Sequence, residues 1–367
     1  RLVVNGTQLV DPRTGEPTVL KGFNWYLPYT SLGVDGKLQK SLLPGSNFVR
    51  LIGVFWDNWD DGGKDDGKDC RTDDPSQGFI DPKCVQQLQE AVETATSAGL
   101  WITLTGRAEY AAGQVPGGSN VFSNATLEAQ YIAMFSFIAK TFKDVDGIAA
   151  YEIMSEPRVK TTPDATVAAF YLKAAQAVQA VDPDTPIIVG AAPYYKPWKL
   201  ASTYPQPLPL PNIIYTADFF IPSSYIFQTF GGQYGFPGLM PCNIAFKGWV
   251  EYFCPQNSTQ ELNITTPFLA GVMQKYVTSF GAKTNAPVLV NQWGINRAVG
   301  DANGRMAYIH GMLGTVLEGV SSAYWLWRWH GKESGDHWGG FELIHDWYNG
   351  TESHDLETLA AFNETWS

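Results

Sequence analysis

Short apolar runs alternate with amphipathic stretches along most of this chain. The runs cover residues 19–24, 48–55, 101–105, 148–154, 187–191, 213–219, 288–292 and 323–327. Each is rich in branched or aromatic side chains and short enough to be a strand buried on both faces. Between several of them, apolar residues recur at helical spacing. Residues 85–98 place Val85, Leu88, Val92 and Ala95 on one face, and 127–142, 165–181, 268–280 and 306–317 behave alike. Pro82 and Pro163 stand where helix starts are expected. Ahead of the first run, residues 1–4 and 8–10 flank an Asn5-Gly6 turn, and a second turn runs through 11–16, which predicts a β-hairpin. Eight strands alternating with helices predict an α/β fold, a single (β/α)8 TIM barrel spanning 1–367 with that hairpin at its N-terminal end. A doubly wound sheet is the alternative, but no G-x-G-x-x-G follows a strand and no G-x-x-x-x-G-K-[ST] occurs. Segments 56–81, 111–123 and 223–266 are too long to be simple connections. Each follows a predicted barrel strand, so all three are expected as long loops on the strand C-terminal face, where barrel enzymes place their sites.

Charge and cysteine usage narrow the setting. The 367 residues carry 25 basic and 36 acidic side chains, a formal charge of −11. That disfavours partners held by phosphate charge, so neither nucleic acid nor an anionic membrane surface is expected. With 44% hydrophobic and 17% charged residues the chain is not disordered. No run approaches 18 consecutive apolar residues, so no membrane-spanning helix is predicted. Cys70 and Cys84 form one close pair and Cys242 and Cys254 another, which reads as two loop-stapling disulfides rather than a zinc site. N-x-S/T acceptors occur at Asn5, Asn124, Asn257, Asn263, Asn349 and Asn363. Together these features predict a secreted, extracellular glycoprotein, monomeric, whose signal peptide was either removed ahead of Arg1 or is not included in this sequence.

The candidate chemistry lies at the strand ends. The fourth run closes on Tyr151-Glu152-Ile153-Met154-Ser155-Glu156-Pro157-Arg158. A carboxylate at a buried strand tip suits acid/base work, and Glu156 is that candidate. The bland alternative is a salt bridge, with Arg158 as the expected partner. Glu152, an even step deeper, reads as structural. The seventh run closes on Asn291-Gln292-Trp293-Gly294, where a polar amide is unusual for a core strand. The eighth ends Tyr324-Trp325-Leu326-Trp327-Arg328-Trp329-His330. Alternate tryptophans make a flat apolar wall of the kind sugar rings stack on, and Trp25, Trp325 and Trp327 are the candidates among thirteen tryptophans. No H-E-x-x-H, spaced His/Cys set or G-x-S-x-G is present, so neither a catalytic metal nor an esterase elbow is expected, and no cofactor is implied. Asp60, Asp61, Asp65, Asp66 and Asp69 lack EF-hand spacing and read as a solvated loop. Asp336, His337 and Trp338 are expected to line or cap a cleft.

These motifs, in this order, resemble glycoside hydrolase family 5, the cellulase-like barrels of clan A. The segment from Leu20 to Trp25 resembles that family's first strand, and Asn47 to Leu51 its second, with Arg50 in the place of the family's arginine. Tyr151 to Pro157 resembles the Asn-Glu-Pro motif, which implies that Glu156 is the acid/base. Val290 to Gly294 resembles the Glu-Phe-Gly or Glu-Trp-Gly motif, which places Gln292 at the nucleophile. Trp327 corresponds to the aromatic platform, and the resemblance implies that Arg50 supports the catalytic carboxyl while Asn24, Ser155, Trp25, Trp325, Asp218 and His330 contribute to binding sugar. Departures are clear. Ser155 stands where the family has Asn, the third strand ends Gly106-Arg107-Ala108-Glu109 without a His, and the sixth shows Asp218 and Phe220 in place of His and Tyr. All five histidines lie beyond residue 300. The resemblance implies retaining hydrolysis of a β-linked polysaccharide, a β-glucan above all, which needs a second carboxylate as nucleophile. Gln292 is neutral and cannot supply it. The chain then reads as a hydrolase blocked at that position by an imposed or natural change, as a carbohydrate binder that has lost catalysis, or as an extracellular interaction protein with a vestigial cleft.

Overall fold

The computed structural model describes residues 1–27, 32–57, 70–108, 120–228, 234–241, 260–328, 340–345 and 352–366. His330, Glu109, the acidic loop carrying Asp60 to Asp69, the Cys242/Cys254 pair, Asn257, Asn349 and Asp336 to Trp338 lie outside the described residues.

The chain opens with β1 (Val3–Asn5), β2 (Gln8–Asp11) and β3 (Glu16–Pro17), an antiparallel sheet in that order. Its first turn uses Gly6 at φ +58, a conformation glycine adopts without a Cβ penalty. Leu2 and Leu9 pack with Leu20, Phe48, Trp101, Ile188, Ile214, Leu289 and Ala323 in a cluster of their own. The hairpin therefore plugs the N-terminal end of the barrel and leaves the other end for the site.

The barrel consists of β4 (Lys21–Tyr26), β5 (Phe48–Asp57), β6 (Trp101–Ala108), β7 (Ile148–Glu152), β8 (Ile187–Gly190), β9 (Ile213–Asp218), β12 (Val288–Trp293) and β13 (Ser322–Tyr324). All neighbours pair in parallel, and the ring closes through β13 and β4. All eight predicted runs are strands, and the (β/α)8 TIM barrel is the observed fold. Between β9 and β12, β10 (Gly238–Pro241) and β11 (Glu261–Ile264) form a separate hairpin within the long segment 223–266.

The first helix, α1 (Asp35–Leu42), has no counterpart in the predicted elements. Its buried positions are Asp35, Gly36 and Gln39, so the face turned to the barrel carries no apolar stripe to detect. The next three, α2 (Pro82–Ser97), α3 (Ala125–Phe142) and α4 (Asp164–Gln179), sit where periodicity places them. Pro82 occupies the first turn of α2 behind the Asp81 cap, whose carboxylate accepts from Lys83 N at 2.8 Å. The predicted helices at 268–280 and 306–317 are present, each with a π-helical turn, at Gln274–Thr278 and Met312–Val316. Among the described residues no helix is long and apolar enough to cross a membrane.

Cys70 and Cys84 are disulfide-bonded, with Cα atoms 5.8 Å apart. The bridge ties the segment entering α2 to its first turn. Closing a loop of this length stabilises by about 3 kcal/mol through the unfolded chain. The Cys70→Ala/Cys84→Ala double variant is therefore expected to lower the urea midpoint correspondingly; an unchanged midpoint would show the loop already ordered without its staple.

Candidate active site

The floor of the site is a buried polar network. Arg50, fully buried on β5, donates from Nε and Nη2 to the two carboxylate oxygens of Glu152, each at 2.7 Å. Burial works against the guanidinium charge, but Glu152 outweighs it and holds the Arg50 pKa above its ordinary value. Glu152 also accepts from Thr105 Oγ1 at 3.0 Å and Asn291 Nδ2 at 2.9 Å. Asn24 accepts from Arg50 Nη1 at 2.7 Å, and its amide nitrogen donates to the carbonyls of Asn291, Ala323 and Tyr324. Ser155 accepts from Arg50 Nη2 at 2.9 Å. The structural reading of Glu152 thus holds. Arg50, Asn24 and Ser155, expected to support the catalytic carboxyl or place sugar, spend their side chains in this floor; Arg50 touches the segment before Glu156 through Ser155, and its charge also acts on Asp218.

Above the floor the chain leaves β7 and is pinned residue by residue. Tyr131 of α3 donates to the Ile153 carbonyl at 2.7 Å, and Tyr171 of α4 donates to that of Met154 at 3.1 Å. The Tyr195 hydroxyl also donates to the Met154 carbonyl. Burial pushes the Tyr171 and Tyr195 phenols up, which keeps both hydroxyls as donors. Ser155 N donates to Gly106 O at 2.7 Å. A Cβ on Gly106 would stand 2.5 Å from the Ile153 carbonyl oxygen, so only glycine lets β6 approach this segment. Glu156 itself holds φ +44, a left-handed conformation that L residues other than Asn and Asp rarely adopt. Such conformations persist where surrounding bonds over-determine them, and they cluster at functional sites.

The Glu156 carboxylate faces Arg107 of β6, with Oε2 3.7 Å from Nη1. Arg107, not Arg158, is therefore its recorded ionic partner. On the other side stands Asp218 at the tip of β9. Asp218 is register partner to Gln292 across the β9–β12 pair, and Gln292 Nε2 donates to Asp218 Oδ2 at 3.3 Å. Among the described residues Asp218 Oδ1 has no hydrogen-bond donor. Burial first, then the charge of Glu156 and a hydrogen bond with it, raise the Asp218 pKa well above the usual carboxylate range. Glu156 and Gln292, far apart in sequence, thus converge on one side chain at the C-terminal rim.

This arrangement predicts a pH signature. A folded-state pKa raised above the unfolded value near 3.9 means that the stability is complete below about pH 4 and declines as pH rises toward the folded pKa. Asp218→Asn removes that decline while its amide oxygen still accepts from Gln292. The melting temperature of the variant is expected to gain on the wild type steadily from pH 4 upward; parallel melting curves across pH would refute the assignment.

The tryptophans separate. Trp25 Nε1 donates to Gln39 Oε1 at 2.9 Å, and Trp327 Nε1 donates to Asp35 Oδ1 at 3.1 Å, so both are sealed under α1. Trp327 also packs against Phe23, with ring centroids 5.5 Å apart. Neither is a platform for sugar, which corrects the sequence reading. Its reason is that β13 ends at Tyr324. Beyond that point the two-residue alternation that would put Trp325 and Trp327 on one face no longer applies. Trp325 packs edge-on against Tyr26 at 6.3 Å, and among the described residues its buried Nε1 meets no hydrogen-bond partner. Sequence reasoning gave no role to Arg107, Thr105, Asn291 or Tyr26. Only Arg107 left a signal, as a charged residue at a strand end.

A closed parallel barrel with carboxyl groups gathered at its C-terminal strand ends is the architecture of barrel hydrolases. The sequence model described as Cellulase (glycosyl hydrolase family 5) matches residues 13–333, and the chain belongs to that family of glycoside hydrolases. No curated protein matches the chain. Among solved structures it is similar to the cellulose synthase subunit Z of Clostridioides difficile, at 17% identity and a TM-score of 0.65, over 94% of this chain and 99% of that one. It is also similar to Thermotoga maritima Cel5A in complex with cellobiose, at 16% identity and a TM-score of 0.63, over 89% of this chain and 88% of that one. The same Cel5A has been solved with mannotriose, again at 16% identity, 0.63, 89% and 88%.

Proposed function

We propose that this chain binds a β-linked glucan across the C-terminal rim of its barrel, with Glu156 as acid/base and Gln292 in the nucleophile's position. The observation that carries this reading is the convergence of Glu156 and Gln292 on Asp218. Glu156 would protonate the leaving glycosidic oxygen as the general acid. Covalent attack on the anomeric carbon is blocked, because an amide at 292 is a poor nucleophile. Trp325 and Tyr26 would supply the apolar contact for a sugar ring.

A second reading has its own support. The Gln292 amide is matched to Asp218 as a donor, which fits a chain settled as a carbohydrate binder without cleavage. An extracellular interaction protein with a vestigial cleft is the third. A secreted monomer remains our reading of its setting; the Cys70–Cys84 bridge and exposed acceptors at Asn5 and Asn263 support secretion. The deciding experiment measures binding and reducing-end release on β-glucans, mannans and xylans for the chain and its Gln292→Glu variant. Cleavage gained supports the blocked hydrolase; binding without cleavage in both supports the binder; no binding to any glycan rejects the cleft.

A further inference from the structure

One basic cluster stands against the acidity of the chain. The Tyr194 ring is approached by Arg158 Cζ at 5.8 Å, Lys160 Nζ at 5.9 Å and Lys196 Nζ at 5.9 Å. Three cations around one ring centre lie within about 12 Å of one another, inside the Debye length at low salt, where they repel. Elsewhere basic side chains are neutralised locally, as in Lys173 with Glu128 and Lys199 with Asp164. Arg158 and Lys160 have no carboxylate partner among the described residues; each is recorded only over the Tyr194 ring. The aromatic face offsets part of the repulsion, but Arg158 and Lys160 meet no carboxylate among the described residues.

Its place is the rim beside Glu156. Tyr194 N donates to the Pro157 carbonyl at 3.0 Å, and the Tyr195 carbonyl accepts from Asp218 N at 2.9 Å. The Tyr194-Tyr195 pair therefore bridges the ends of β7 and β9. Both residues hold left-handed φ, +60 and +48, a rare backbone state that recurs at ligand clamps. Arg107 adds a fourth cation, in contact with Glu156.

We propose that this rim is a subsite for an anionic substituent, a carboxylate or a sulfate ester, on the β-linked glycan. The inference rests on the glycan-binding reading of the cleft and names its substrate class. Guanidinium and ammonium groups around a sugar-sized aromatic face suit an acidic sugar, because the ring meets the apolar side while the cations meet the oxygens. Two further features of the site favour an anion. Gln292 is neutral where a carboxylate would repel, and Arg107 stands against the Glu156 carboxylate.

The test compares three hexamers by calorimetry: cellohexaose, its derivative oxidised to carboxylates at C6, and its 6-O-sulfated derivative. Either anionic hexamer is expected to bind about ten-fold tighter than cellohexaose in about 20 mM salt, the sum of several exposed ion pairs, and to lose most of that advantage by about 300 mM. Which of the two binds more tightly assigns the substituent. Arg158→Gln/Lys160→Gln should erase the preference and leave cellohexaose affinity unchanged, while the remote, exposed Lys83→Gln/Lys283→Gln control keeps it. Equal affinity for neutral and anionic hexamers, or a preference that survives in the rim variant, overturns the subsite but leaves the glycan cleft standing. If none of the three binds, the glycan reading and the subsite fall together.

Discussion

Gln292→Glu is expected to raise cleavage of a β-glucan by on the order of 10³-fold or more, since loss of a covalent nucleophile elsewhere costs at least that much. The change is nearly isosteric, and the site is prepared for it. Gln292 Nε2 donates to Asp218 Oδ2 at 3.3 Å, so a carboxylate at 292 would meet Asp218 directly. Two ionised carboxylates would repel at that spacing in a buried site, but burial and then the Glu156 charge already raise the Asp218 pKa well above the usual carboxylate range, which favours its protonated form. A protonated Asp218 would donate to the new carboxylate at 292, along the line on which Gln292 now donates to it. Reducing-end release is the readout. Adding Glu156→Gln to the active variant should return the rate to background, which ties the gain to the pair rather than to a contaminant. Unchanged cleavage with glycan binding intact would sink the blocked-hydrolase reading.

Glu152→Ala is expected to destabilise the barrel by about 3–5 kcal/mol, the range for removing one member of a buried ion pair. The reason is what remains. Arg50 is fully buried and would keep only Asn24 and Ser155 as partners, while Thr105 Oγ1 and Asn291 Nδ2 would lose their acceptor. Glu152→Gln should lose less, because it retains one acceptor oxygen for Arg50. Equilibrium urea unfolding measures both. A Glu152→Ala variant within about 1 kcal/mol of the wild type would show that the floor relaxes around an unpaired guanidinium, contrary to the cost of burying one.

The eight barrel strands were legible because parallel strands buried on both faces are nearly continuous apolar runs. Helices α2 to α4 were legible because they bury one apolar stripe each. Helix α1 was not, since it turns Asp35 and Gln39 inward to meet the indoles of Trp327 and Trp25. Those two pairings also account for the misassigned tryptophans. A residue list shows that a strand has two faces; which face looks into the rim depends on where the strand stops.

For the site, the residue types at the strand tips announced a carboxylate at 156 and an amide at 292, because a polar group at the end of an apolar run is a local fact. Tertiary structure alone decided their partners. Asp218 sits between them because β9 and β12 are neighbours in register, and Arg107 faces Glu156 because Gly106 lets β6 approach the segment leaving β7. Contacts of that kind join residues tens of positions apart. They follow from barrel closure, strand register and close packing, none of which is written in any local stretch of the chain.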